Sequence, residues 1–259
     1  MASTSYKHYN AHEFDSKHLL GTYCSSSCDQ QFIKELIIFP TKRLQTLVAS
    51  GAFKAETLID FSAGPIVVHL MPFCNNVKSI IVLDTNDFCN QEFEKWRNRD
   101  EEAFDWSHLL GAFEELEGDS EKWMEREETL RRKIKQVAIC DMNKENPTDP
   151  IVLPKADCVL SLYTMGIISP DKDAYSRNLR NLASFLRPGG QLLLFGGLNA
   201  TFFTVAGHKY HNLTLDEGFV RKAIEEAGLA IQSFETLESK ITNGLVDYSH
   251  VWFVSAQKP

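Results

Sequence analysis

The sequence is short of the residues that usually announce a chemistry. Neither GxGxxG nor GxxxxGK[ST] occurs anywhere in its 259 residues, so no glycine-rich loop is set to hold a pyrophosphate on a helix N-terminus. The six cysteines (Cys24, Cys28, Cys74, Cys89, Cys140 and Cys158) form no CxxC pair, and no cysteine–histidine cluster has zinc spacing. They are expected to be reduced thiols packed as small hydrophobes. No apolar run reaches the roughly 18 residues needed to span a bilayer. The first residues, MASTSYKHYNAHEFDSKHLL, hold no apolar core of signal-peptide length, so a cytoplasmic protein is expected. Positive charge is also in deficit, with 27 Lys and Arg against 35 Asp and Glu. A net charge of −8 weighs against nucleic acid and against an anionic membrane surface as partners. A neutral or cationic small molecule fits better.

What is present is an alternation of short apolar runs and amphipathic segments, without internal repeats. Strands are expected at 57–61 (TLIDF), 79–84 (SIIVLD), 136–141 (QVAICD), 156–163 (ADCVLSLY) and 191–196 (QLLLFG). Helices are expected at 66–73, 90–98, 121–135, 171–186 (closed by Pro188-Gly189-Gly190) and 214–227. Ahead of them, residues 31–50 carry apolar side chains at helical spacing, with Pro40 as a kink or break and Gly51 as a C-cap. Five strand–helix repeats predict a doubly wound α/β sheet. The last two strands, 230–237 and 251–257, are joined by a loop too short for a crossover helix and must pair antiparallel. A parallel sheet capped by an antiparallel C-terminal hairpin is unlike the nicotinamide-dinucleotide fold. It resembles the Rossmann-like class I methyltransferase fold, with a mostly parallel seven-stranded sheet. A single domain over 1–259 is expected, with a helical N-terminal lid region at 1–50 and the α/β core at 56–259.

In such a sheet the ligand lies beyond the carboxyl ends of the strands, where strand order reverses. The first strand ends in Asp60 and the loop Phe61-Ser62-Ala63-Gly64, within LIDFSAGP; the second ends in Asp84; the third in Cys140-Asp141; the fourth in Leu162-Tyr163-Thr164; the fifth in Gly196-Gly197. A small-residue turn lets backbone approach a ligand closely. Asp84 is placed to accept both hydroxyls of a ribose, and Asp141 to accept from an exocyclic adenine amine. Any one such acid is commonly a solvated strand end; three after successive strands are harder to dismiss. The methionine end of S-adenosylmethionine carries no phosphate, so it needs fewer backbone donors and fewer glycines than a dinucleotide.

At this point the chain resembles the family of nicotinamide, indolethylamine and phenylethanolamine N-methyltransferases. LIDFSAGP is similar to that family's LIDIGSGP. EFEKWRNRDEEAFDWS (92–107) is similar to its ELEKW and AFDWS stretch, and LEGDSEKWMEREETLRRKIKQVAICD (116–141) to its LEG, charged helix and CDV. ADCVLSL (156–162) and LRNLASFLRPGGQLL (179–193) match almost residue for residue. The resemblance implies S-adenosylmethionine as cofactor, with Asp84 on its ribose and Thr85 and Asn86 close by. Asp141 and Met142 would bracket the adenine, Ser62 and Gly64 would face the methionine, Leu162 would touch the cofactor, and Tyr23 would close the site. It implies a small amine or N-heteroaromatic substrate and a monomer.

Several positions depart from the family pattern. Its first loop glycine is Ser62 here and the following serine is Ala63; Cys89 replaces an asparagine, Val68 a tyrosine, and Gly196 an aspartate that faces the substrate in the nicotinamide enzyme. Methyl transfer is an in-line displacement that needs an unprotonated nucleophile held close to the methyl group. For a polar substrate contact the candidates are Asp247, near an acid that the phenylethanolamine enzyme keeps for its amine, and Tyr163, beside the expected methyl. His208, Tyr210 and His250 lie nearby in sequence, and Phe202 and Phe203 could wall the site or belong to the core. The expected function is S-adenosylmethionine-dependent N-methylation of a small molecule. The alternatives are a methyltransferase fold kept for a binding or structural role, and a nicotinamide-dependent oxidoreductase.

Overall fold

The computed structural model describes residues 6–14, 16–51, 53–109 and 120–259. Its centre is a seven-stranded sheet. The strands, numbered along the chain, are β1 (Thr57–Asp60), β2 (Ser79–Asp84), β3 (Ile134–Ile139), β4 (Ala156–Leu162), β5 (Leu186–Leu198), β8 (Ala230–Glu238) and β9 (His250–Gln257), in the spatial order β3-β2-β1-β4-β5-β9-β8. The first five run parallel, while β9 pairs antiparallel with both β5 and β8. The order reverses between β1 and β4, which opens a crevice at their carboxyl ends.

Alternation along each strand divides the core into two layers. Leu58, Ile80, Val82, Leu160, Leu193 and Phe253 face one layer. Their neighbours Ile59, Ile81, Leu83, Val159, Leu192 and Trp252 face the other. Continuous apolar runs are what a sheet covered on both faces requires. The first layer is covered by α1 (Ser16–Tyr23), by α2 (Gln30–Ile33) and α3 (Phe39–Ala49), and by α4 (Asp87–Arg97) and α5 (Ser120–Lys133). The second is covered by α6 (Thr164–Ile168), α7 (Lys172–Ser184) and α8 (Glu217–Glu226). In α7 the buried residues Ala174, Tyr175, Asn178, Leu179, Leu182 and Ala183 recur at helical spacing. Asn86, Asp171 and Asp216 cap α4, α7 and α8 with side-chain oxygens.

The antiparallel end of the sheet, the C-cap Gly51 at φ +71° and most elements follow the sequence reading. Three details differ. Residues 68–73 form a 3₁₀ helix, Val68–Phe73, with Pro72 inside it, where an α-helix was expected. Pro188-Gly189-Gly190 does not close α7 but lies within β5, whose Gly189 donates to the Lys258 carbonyl at 2.8 Å. A small hairpin, β6 (Phe202–Val205) and β7 (His208–His211), was not anticipated, because four-residue strands carry little periodicity. Between α2 and α3 the chain widens into a π-turn, Lys34–Ile38, just ahead of Pro40, which lacks the N–H an α-turn would use.

The N-terminal segment runs across the crevice. Asn86 fixes it there. It is fully buried, its amide donates to the Phe14 carbonyl at 2.8 Å and to the Ala11 carbonyl, and its side-chain oxygen accepts the Cys89 N–H at 3.0 Å. Tyr9 adds a hydroxyl contact to Thr85 at 2.9 Å, and Lys7 bridges to β7. Asn86→Ala, which removes a helix cap and two anchors together, is expected to lower stability by about 1–2 kcal/mol. It should speed hydrogen exchange across residues 6–14 while β4 and β5 stay protected; unchanged exchange in that segment would refute the anchoring role.

Candidate active site

The two strands that flank the crevice are stitched together at their ends. The Phe61 and Ala63 N–H groups donate to the Leu160 and Leu162 carbonyls at 2.8 Å. Ser161 and Thr164 both donate their hydroxyls to the Phe61 carbonyl, at 2.7 and 2.9 Å. Ser62, the residue that stands for a family glycine, joins this lattice. It donates to Asp60 Oδ1 at 2.5 Å and accepts the Leu162 N–H at 3.1 Å. Its side chain is buried beneath the loop, so it does not narrow the ligand's approach. Of the loop residues, Gly64 has φ +75°, and a side chain there would be strained. A Cβ at Gly64 would also come 2.8 Å from Leu19 Cδ2. The loop keeps its glycine where backbone geometry demands one and replaces the other with a stitch.

Asp60 is engaged within this lattice. It is buried, it accepts from Ser62, and its other oxygen lies 3.5 Å from His69 Nε2. Asp84 lies at the end of β2, facing the crevice. Its carboxylate accepts the Asn86 N–H at 2.8 Å and lines a small cavity of about 20 Å³ with Ala63, Gly64, Thr85 and Cys89, roofed by Phe14 and Leu19. Burial pushes its pKa up to about 7, although the Asn86 and Gly64 N–H groups and the Cys89 thiol pull it down. Asp141 is half-buried, and its carboxylate accepts from the backbone and side chain of Asn143 at 3.0 and 3.1 Å. Met142 is buried behind it and its carbonyl is held by Asn181.

Next to this cleft is a larger cavity of about 120 Å³ against the ends of β1, β4 and β5. Leu19, Ala63, Ile167 and Phe203 border both spaces. Among the described residues, no Asp, Glu, Lys, Arg or His lines the larger one. Its walls are mainly aliphatic and aromatic, and three of its side chains carry buried polar atoms without a hydrogen-bond partner: Tyr163 Oη, Tyr175 Oη and Trp252 Nε1. Tyr163 adopts φ +62°, the kind of backbone outlier found at functional sites. Burial, and secondarily Glu35, hold its phenol well above the ordinary range, so it is a neutral donor and not a base.

The structure does not bring every expected residue into these spaces. Asp247 is exposed and committed to β6. Its Oδ1 accepts the Thr201 and Phe202 N–H groups at 2.7 and 3.2 Å, and Oδ2 accepts the Thr201 hydroxyl. Tyr23 lines the cavity with its ring, but its hydroxyl donates to the Thr204 carbonyl at 2.6 Å and accepts the Thr204 N–H at 3.0 Å. Asn86 meets Asp84 through its backbone N–H and holds the N-terminal segment through its side chain, while Leu162 contributes backbone and packing. Phe202 and Phe203 do line the cavity, and Tyr210 stacks on Phe203 from outside at 5.3 Å. His208 and His250 lie away from it. The sequence reading missed Tyr9, Tyr175 and Trp252. Tyr9 stood among the N-terminal aromatics, but in a single sequence nothing distinguishes the other two from core aromatics.

No described helix is long and apolar enough to cross a membrane, and no described cluster of His, Cys, Asp and Glu could hold a metal ion. The model of the NNMT/PNMT/TEMT family matches residues 2–259. Nicotinamide N-methyltransferase of Homo sapiens is 34% identical over 247 residues, covering 95% of this chain and 89% of that protein. Indolethylamine N-methyltransferase of Oryctolagus cuniculus is 35% identical over 224 residues, covering 86% and 85%. Among solved structures, magnesium protoporphyrin IX methyltransferase from Synechocystis PCC 6803 with bound SAH superposes with a TM-score of 0.56 at 13% identity, covering 94% of this chain and 93% of that one. The fold is that of class I methyltransferases.

The raised pKa of Asp84 makes a stability prediction. Between about pH 4 and 7 the unfolded chain releases this proton while the folded chain holds it, so stability falls as pH rises through that window. Asp84→Asn should remove this loss. Its melting temperature should gain on the wild type from pH 4 to 7 and hold a constant advantage above; a gap that does not change with pH would contradict the assignment.

Proposed function

This chain belongs to the NNMT/PNMT/TEMT family, and from that membership we propose that it transfers a methyl group from S-adenosylmethionine to a small amine or N-heteroaromatic. The observation that carries the reading is the adjacency of two dissimilar spaces. One holds a buried strand-end carboxylate and a backbone loop; the other is apolar and uncharged; they share the walls Leu19, Ala63, Ile167 and Phe203.

The residues present fit the cofactor. Asp84 has acceptor capacity beyond the N–H groups it already meets, which suits the two hydroxyls of a ribose. Thr85 adds a hydroxyl beside it. Among the described residues, no basic cradle for a phosphate borders the cleft, and none is needed. When bound, S-adenosylmethionine supplies a methyl group activated by its sulfonium, with the C–S electron pair returning to sulfur. The chain's own task is positional. Ala63 and Gly64 present backbone at the boundary between the spaces, held rigid by the stitches from Ser62, Ser161 and Thr164. Phe203 and Leu19 exclude water. Orientation of this kind can supply roughly 7–11 kcal/mol of a barrier. Among the described residues no general base lines the acceptor space, which favours a nucleophile that already carries a lone pair at neutral pH, such as a heteroaromatic nitrogen.

A methyltransferase fold kept for binding alone gains no support from the relatives, whose names are those of methyltransferases. An oxidoreductase of the dinucleotide type would need a different sheet. Calorimetric titration should give micromolar binding of S-adenosylmethionine and S-adenosylhomocysteine and none of NADH. Asp84→Ala should weaken both by about 10–100-fold, as loss of hydrogen bonds to a charged group predicts. Absence of binding, or binding insensitive to Asp84, would overturn the reading.

A further inference from the structure

Two walls of the larger cavity come from distant parts of the chain, and a buried acid ties them together. On one side stand Leu36 and Ile37, in the π-turn Lys34–Ile38. On the other stand Val246 and Tyr248, in the loop 239–249 that joins β8 to β9. Glu35 is 1% exposed and does not line the cavity. Its Oε1 accepts from Gln31 Nε2 and from the Lys240 N–H, each at 2.7 Å. Its Oε2 accepts from the Ser239 hydroxyl at 2.9 Å and from the Tyr248 hydroxyl at 3.1 Å. Ser239 and Lys240 begin the loop and Tyr248 lies near its end. A single carboxylate thus fastens both feet of the loop to the π-turn, a helix irregularity that is frequent at functional sites.

The loop passes this placement on. Its Leu245 carbonyl accepts the Thr204 N–H at 2.8 Å, Val246 bridges to Phe203, and Asp247 holds the Thr201 and Phe202 N–H groups. Phe202 and Phe203 line the cavity, and Phe203 also borders the cleft beside Asp84. Tyr248 packs on Gly197 of β5, where a Cβ would come 2.9 Å from Tyr248 Cβ. Its side chain therefore reaches from the sheet to Glu35. Burial first, and then the neighbouring Tyr163 and Glu35, hold the Tyr248 phenol above the ordinary range, so it stays a neutral donor. We infer that Glu35 is a positioning residue for methyl transfer: it sets the loop 239–249, and through it Phe203, at the distance from the π-turn that the acceptor requires. The inference rests on the assignment of this cavity to the acceptor proposed above. Glu35 acts through the wall and touches neither acceptor nor cofactor. Hydrogen bonds to an ionised acceptor are roughly twice as strong as neutral ones, so the carboxylate makes the wall stiff. A glutamine at 35 would accept from Gln31 and Lys240 through its oxygen and donate to the two hydroxyls through its nitrogen. It keeps the shape of the clasp and removes the charge.

The test compares the full chain with Glu35→Ala, Glu35→Gln and Tyr248→Phe. Hydrogen exchange and calorimetric binding of S-adenosylhomocysteine are read on each. Methyl transfer from labelled S-adenosylmethionine is read with quinoline and tryptamine, one N-heteroaromatic and one amine. Glu35→Ala should speed exchange across residues 202–205 and 239–248 about tenfold or more, and raise the acceptor's KM by a similar factor. The KM of S-adenosylmethionine, the affinity for S-adenosylhomocysteine and the exchange of β1 and β2 should not change. Glu35→Gln should recover most of both losses. Tyr248→Phe removes one donor and keeps the carboxylate; it should show part of each effect, and serves if Glu35→Ala fails to fold. Unchanged exchange in both segments, or equal losses of cofactor binding and acceptor KM, would overturn the inference. Faster exchange confined to the two segments, with no methyl transfer to either acceptor by the wild type, would uphold Glu35 as the residue that sets this wall and refute the enzymatic reading, so the two failures are distinguishable.

Discussion

The structure turns on keeping one carboxylate dry at the end of β2. Asp84 is almost fully covered, and burial alone lifts its proton affinity towards neutrality. Everything around it serves that placement. The left-handed turn at Gly64 aims a backbone N–H at it, Asn86 supplies a second, and Asn86's own side chain clamps the N-terminal segment over the cleft. A carboxylate held this way is costly to the fold and valuable to a ligand whose hydroxyls can replace water.

The same logic explains why a glycine-poor loop suffices. A phosphate site needs successive backbone amides converging on one anion, and hence several glycines. Here the loop must only hold β1 against β4 and pass one tight turn. Ser62 achieves the first with its hydroxyl, and Gly64 the second with its positive φ. Beyond the loop the chemistry changes abruptly from a charged cleft to an uncharged cavity.

Much of this was legible in the sequence, and the reasons are physical. Apolar runs such as SIIVLD and ADCVLSL have the length and β-branching of strands buried on both faces, and the acids that end β1 and β2 mark the crevice. The antiparallel end of the sheet followed from the short connection before β9. The roles of individual acids were less legible. Asp60, Asp84 and Asp141 look alike as strand ends, yet Asp60 is spent on Ser62 and Asp141 on Asn143. Which hydrogen bonds a carboxylate has already made is a property of the packed structure. The contacts of Asp247 were illegible for the same reason, because its three donors come from residues 46 and 45 positions away. The packing of Trp252 over Gly196 was invisible as well, since only the register of β5 against β9 sets it there.

The most direct measurement is a crystal structure with S-adenosylhomocysteine bound. Both ribose hydroxyls are expected on the Asp84 carboxylate at about 2.5–3.0 Å, with the cofactor sulfur at the boundary formed by Ala63 and Phe203. A nucleoside bound away from Asp84 would contradict that placement.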